Sequence, residues 1–185
     1  MARANRTKFA LLGMLMHGPM SGYDLKKFSD ASIAHFWSEN YGHIYPILKR
    51  METEGLAKKL VIRTKGRPAR HVYSITEKGR QLFRAWLMTP PEREVRRNEF
   101  LLKLFFAGFM PSQARLDLIE FERSRNAKVL EEYQGLESRK IDKMSSSSPW
   151  KFARLTLSYG KKMGSARVQW CDEVLRKLNK KKRTG

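Results

Sequence analysis

Five side chains in one short stretch, Tyr41, His43, Tyr45, Lys49 and Arg50, combine hydrogen-bonding and cationic groups. That is the chemistry that reads base edges and grips the phosphates of a nucleic acid. A little further on, Arg63, Lys65, Gly66, Arg67 and Arg70 form a basic, turn-prone segment suited to lying along a polyanion. Between residues 57 and 88, nine cations (Lys58, Lys59, Arg63, Lys65, Arg67, Arg70, Lys78, Arg80, Arg84) face a single carboxylate, Glu77. A basic run is usually a solvated surface, but nine against one exceeds what solubility requires, and phosphate contact is the better account.

These groups need a scaffold that turns them outward. Ile44, Ile47, Leu48 and Met51 recur at i, i+3, i+4 and i+7, which predicts a helix with one apolar face for a core and the opposite face free. Pro46 would cost about 3 kcal/mol deep in a helix but is tolerated in the first turn, so the helix is expected to start near Gly42 or His43. The leading residues of such a helix are the ones that point at base edges. Gly55 follows as a C-terminal cap. Residues 60–63 and 71–75 are β-prone runs around the basic turn 64–70, which predicts a hairpin. A helix followed by a charged hairpin is the outline of a winged helix-turn-helix.

Upstream, residues 7–17 read as a helix stopped by Gly18-Pro19. Ser21 can cap the amide three residues on, and Asp24 suits the positive end of a second helix reaching about Ala34. Thr76 caps another helix with an apolar stripe of Leu82, Phe83, Trp86 and Leu87, and Thr89-Pro90-Pro91 ends it. This separates an expected DNA-binding domain, 1–88, from an expected helical dimerisation domain, 92–182. Residues 98–109 are apolar on nearly every side and are expected to be buried from all directions. Residues 111–143 read as a long charged helix, reaching on the order of 45 Å at ~1.5 Å per residue. After a serine-rich linker, Ser148-Pro149 opens the last helix. There Leu157, Gly164, Val168, Cys171, Leu175 and Leu178 form a coiled-coil-like seam. Two long helices joined by a short turn make an antiparallel hairpin whose apolar stripe needs a partner. Leu157, Val168, Cys171, Leu175 and Leu178 are therefore the expected homodimer interface. The fold class is mostly α.

The net charge of +20 over 185 residues sits at the two ends of the chain. Lys and Arg outnumber Asp and Glu by 16 to 6 in residues 1–88 and 11 to 2 in residues 150–185, against 11 to 10 between them. Counterion release makes nucleic acid the leading partner. An anionic membrane would also attract this charge, but residues 9–16 and 104–110, the longest apolar stretches, are too short to span a bilayer. The basic and apolar start imitates a secretory signal without a small-residue cleavage site, and reads instead as the first core helix. One cysteine excludes an internal disulfide framework and suits a cytoplasmic location. His17, His35, His43 and His71 are scattered without metal-ligand spacing, and no nucleophile elbow is recognisable, so neither a metal, a cofactor nor a catalytic residue is expected. Trp37, Trp86, Trp150, Trp170 and the Phe100 to Phe109 cluster are either core or the lining of an effector pocket.

Gly18-Pro19 with Gly22-Tyr23-Asp24-Leu25, then Gly42-His43-Ile44-Tyr45-Pro46 with Leu48, Met51-Glu52 and Gly55-Leu56, then Gly66-Arg67-Pro68 and Tyr73-Ser74-Ile75-Thr76-Glu77-Lys78-Gly79, resemble the PadR family of bacterial transcriptional regulators. The blocks follow the family's order and spacing over residues 7–85. The helical second half resembles, by architecture, the subgroup with a larger C-terminal dimerisation domain. The resemblance implies a dimeric winged-helix repressor whose recognition helix enters the major groove and whose wing touches the flanking backbone or minor groove. Tyr41, His43 and Tyr45 then match the positions that approach DNA, and Gly66-Arg67-Pro68 the wing tip. It also implies, for many members, a small aromatic or amphipathic effector held between the dimerisation region and the DNA-binding domains.

The expected partners are thus double-stranded DNA bearing a pseudo-palindromic operator, a second copy of the chain and, as a further candidate, a small-molecule effector, with no membrane. The rival reading is a sequence-tolerant nucleic-acid protein for RNA or chromosome packaging. An enzyme whose winged helix only docks substrate is disfavoured by the absence of a clustered Asp/Glu/His/Cys constellation.

Overall fold

A computed structural model describes residues 2–34, 36–37, 41–63, 69–92, 97–136 and 150–181, without the side chains of residues 2–5, 41, 150, 180 and 181. The chain divides into two compact units, residues 1–93 and 94–185. The first contains α1 (Ala2–Leu15), β1 (Met20–Ser21), α2 (Gly22–Ser32), α3 (Tyr41–Thr53), β2 (Ala57–Ile62), β3 (Arg70–Ile75) and α4 (Glu77–Leu87). The second contains α5 (Glu99–Phe105), a 3₁₀ turn at Ala107–Phe109, α6 (Ser112–Leu136) and α7 (Trp150–Lys181).

The first unit closes around its own core. Leu11, Leu12 and Leu15 of α1 meet Leu25 of α2 and Ile44, Leu48 and Met51 of α3, all at 1% exposure or less. Removing each such side chain from water is worth about 2 kcal/mol. Tyr73 and Ile75 of β3 complete the cluster. The sheet is antiparallel in the order β1-β3-β2, with Lys59 opposite Tyr73 and Leu60 opposite Val72. At two residues, β1 is too short to show alternation in the sequence, yet it occupies the second edge of β3 through Met20 and Ser21.

Local sequence sets the helix ends. The Asp24 N–H donates to Ser21 Oγ at 3.2 Å and the Ser21 N–H donates to Asp24 Oδ2 at 2.9 Å, a reciprocal capping box at the start of α2. At the end of α3, Gly55 adopts φ +68°, and the Leu56 N–H reaches back to the Met51 carbonyl at 2.8 Å. This Schellman arrangement needs a residue without a Cβ penalty at the left-handed position. Thr76 accepts the Gly79 N–H at 3.1 Å to cap α4, and its hydroxyl donates to the Gly55 carbonyl at 2.7 Å, tying the sheet to the end of α3. Pro46 lies deeper in α3 than expected, because the helix already begins at Tyr41.

In the second unit, α6 and α7 run antiparallel, since partners fall in number on one helix as they rise on the other. Arg123 pairs with Asp172, a Cβ on Gly164 would meet Leu130 at 3.5 Å, and a Cβ on Gly160 would meet the Tyr133 ring at 2.5 Å. Gly160 therefore lets the Tyr133 ring of α6 approach the α7 backbone. Of the expected subunit interface, Leu157 and Cys171 are already buried within the single chain, while Val168, Leu175 and Leu178 are half-buried. Burial pushes the Cys171 thiol pKa up, and the negative charges of Glu122 and Asp172 add to the effect. Glu122 is itself buried on α6, where Asn126 Nδ2 donates to its Oε1 at 2.9 Å and Arg125 pairs with it at 2.8 Å.

A correction concerns residues 98–109. They form a short helix and a 3₁₀ turn rather than one helix, and Leu101, Leu102, Phe105, Phe106 and Phe109 are exposed. The single unit has only one flank to offer them, with Phe100 meeting Trp170 edge-on at 6.0 Å. Residues 137–149, including the expected Ser148-Pro149 start of α7, lie outside the described residues. Among the described residues no helix is long and apolar enough to cross a membrane.

Candidate nucleic-acid interface

The apolar face of α3 is consumed by the core, through Ile44, Leu48 and Met51, which leaves the opposite face outward. His43, Lys49 and Arg50 are exposed on it. Tyr41 is its first residue, and its side chain lies outside the described residues. Tyr45 is 49% exposed and its ring lies against α2, so close that a Cβ on Gly22 would come within 2.7 Å of it. Gly22 thus seats the front of α3 on the start of α2, and Tyr45 combines a packing role with an exposed edge.

The cations are not equivalent. Arg50 Nε is bound by Glu54 Oε1 at 2.6 Å, and Lys8 reaches Glu54 Oε2 at 3.1 Å. The Arg50 hydrogen bond, opposed by burial and supplemented by Lys8, holds the Glu54 carboxyl below the usual carboxylate range. Lys49 and Arg63 have no carboxylate partner among the described residues, and both are exposed. On β2, Lys58 is exposed, while Lys59 lies 3.9 Å from Glu52. Of the expected wing, Lys65, Gly66 and Arg67 lie outside the described residues; Arg63 follows β2 and Arg70 opens β3.

Arg70 is held by a residue that sequence reasoning treated only as a helix cap. Its Nη2 pairs with Asp24 Oδ2 and approaches Ser21 Oγ at 3.4 Å. Burial works against ionisation of Asp24, yet the Ser21 amide and hydroxyl and the Arg70 guanidinium outweigh it and hold the carboxyl below its ordinary range. Asp24, Arg70, Gly22, Tyr45 and His71 border one open depression of about 610 Å³. Nothing in the spacing of Asp24 and Arg70, 46 residues apart, signals this pairing.

An exposed apolar stripe of α7, of which only Trp170 was singled out in the sequence, was also missed. Phe152, Leu155, Tyr159, Met163 and Trp170 are exposed at spacings of three, four, four and seven, on a different face from the Cys171 seam. The signal was legible as a second helical period beside the first.

Residues 11–85 match the Transcriptional regulator PadR-like family, and residues 96–179 match the family described as Virulence activator alpha C-term. The Negative transcriptional regulator PadR of Bacillus subtilis (strain 168) is 28% identical over 177 residues, covering 94% of this chain and 97% of its own. The crystal structure of Bacillus subtilis PadR in complex with operator DNA superposes with a TM-score of 0.83 at 28% identity, covering 93% of this chain and 98% of that one. The structure of the same protein in complex with p-coumaric acid gives a TM-score of 0.77 at 30% identity, covering 93% and 98%. Family matches to both halves, and a relative sharing 30% of its residues across almost its whole length, complete what the capped helices and the basic hairpin began: the chain belongs to the PadR family of transcriptional regulators.

Proposed function

We propose that this protein is a homodimeric, sequence-specific DNA-binding repressor, with residues 1–88 gripping DNA and residues 92–182 pairing the subunits. The observation that carries the reading is the α3 surface. Its apolar face is fully used by the core, while His43, Tyr45 and Lys49 stand outward beside a basic hairpin. The relative bound to operator DNA supports the same assignment. Tyr41, His43, Tyr45 and Lys49 read base edges or adjacent phosphates, and Arg63, Lys65, Gly66 and Arg67 follow the flanking backbone. In a dimer, two such helices engage half-sites whose centres lie about 34 to 36 Å apart, or a multiple of that.

The exposed stripe of Phe152, Leu155, Tyr159, Met163 and Trp170, with Phe105 and Phe109, supports a second copy as the missing cover. Repression follows from occupying a promoter. Relief follows from a small aromatic acid that binds better to a conformation with the wrong helix spacing, a reading supported by the relative crystallised with p-coumaric acid.

Footprinting on genomic fragments selected by the purified protein tests the proposal. A discrete protected site with twofold symmetry that survives competitor DNA is expected. Uniform coating of every fragment would instead identify the sequence-tolerant packaging protein.

A further inference from the structure

The pairing of Asp24 with Arg70 does more than a cap requires. A capping box needs the carboxylate only to accept the Ser21 amide. Here one oxygen, Asp24 Oδ2, takes the Ser21 N–H at 2.9 Å, the Ser21 hydroxyl at 2.7 Å and the Arg70 guanidinium together. The contact joins the base of the basic hairpin to the start of α2, on the wall of the depression that Tyr45 also borders. Both partners remain accessible, with Arg70 56% and Asp24 34% exposed at their side chains. A carboxylate offers an arginine fork the same charge-assisted acceptor that a phosphate does. A phosphate arriving at this face therefore competes with Asp24 for Arg70.

We infer that Asp24 is a specificity-determining residue: it occupies Arg70 in place of a phosphate and so lowers the affinity of this surface for indiscriminate duplex DNA. The inference rests on the DNA-binding reading above. An exposed cation adds to binding of every sequence alike, because backbone contacts carry no base information. A cation already neutralised from within adds little until geometry elsewhere brings a phosphate close enough to displace the carboxylate. The cost of that displacement is felt most by sequences that seat the recognition helix poorly, which widens the gap between operator and random DNA.

The test uses the full-length protein and a random-sequence duplex, with affinity measured against salt concentration. Asp24→Asn keeps an oxygen able to accept the Ser21 N–H while removing the charge. It is expected to tighten binding on the order of tenfold at 0.1 M salt and to steepen the salt dependence by about 0.9 units, one phosphate contact. In the Asp24→Asn, Arg70→Ala double variant the added slope disappears. Asp24→Glu, which restores the charge, returns the slope toward that of the parent. Glu77→Gln removes the same charge from the same unit at an exposed side chain with no ion-pair partner among the described residues, and changes the slope by less than half as much. An unchanged slope in Asp24→Asn, or an equal rise in Glu77→Gln, overturns the inference. Failure of the parent protein to bind any duplex at low salt would instead overturn the DNA-binding reading itself.

Discussion

The first unit seals an apolar core between its helices and sheet, whereas the second leaves most of its described aromatic side chains exposed. Seven side chains of α1, α2 and α3 are sealed almost completely, while Phe105, Phe109, Phe121, Phe152 and Tyr159 of the second unit remain exposed. The difference is geometric. Three short helices and a sheet can enclose a common centre, but α6 and α7 lie side by side and shield only the faces turned toward each other. A two-helix layer has a second side, and its amino acids reveal whether that side meets water. Here it is aromatic, so the two units present different surfaces: a cationic one suited to a duplex, and an apolar one suited to another copy of itself.

The largest test of this contrast is core truncation. Leu48→Ala should remove about 3 kcal/mol from the first unit, lowering its thermal transition by calorimetry while the helical hairpin keeps its own. Equal loss in both would mean that the units do not close separate cores. Next, Leu155→Asp combined with Tyr159→Asp should weaken self-association by about 2 kcal/mol or more, roughly 30-fold. Sedimentation velocity would read the shift to monomer, with helicity by circular dichroism unchanged. A dimer that survives both charges would exclude this stripe as the interface.

Salt separates the two surfaces further. Arg63→Ala should flatten the salt dependence of duplex binding by about 0.9 units, yet leave the sedimentation profile as it was. Finally, Ser29 in α2 is completely buried and its hydroxyl has no hydrogen-bond partner among the described residues. Ser29→Ala should therefore stabilise the first unit by about 1 kcal/mol, measured as a higher denaturant midpoint. A destabilised variant would show that the hydroxyl has a partner.

Legibility in the sequence followed the range of the interaction. Ser21, Gly55 and Thr76 announce their roles because a cap is completed within a few residues, and the structure uses each one as expected. The outward face of α3 was legible for the same reason, through the period of Ile44, Ile47, Leu48 and Met51. The seam of α7 was legible as a stripe but not as to its occupant. A heptad pattern is satisfied equally by a helix of the same chain or of another, and only folding shows that Tyr133 of α6 packs on Gly160 of α7. Residues 98–109 mark a further limit, because an all-apolar run has no period from which to infer a direction.

By itself, then, the order of amino acids determined the caps at Ser21, Gly55 and Thr76, the outward face of α3, and the family of the chain. These rest on nearest-neighbour hydrogen bonds and on repeating spacing. Tertiary structure alone decided that Arg70 is already occupied. Glu54 lies one helical turn from Arg50 and is a partner legible in the sequence, but Asp24 is brought to Arg70 only by folding. Charge availability is a property of distance in space, and distance across 46 residues is set by the packing of the core.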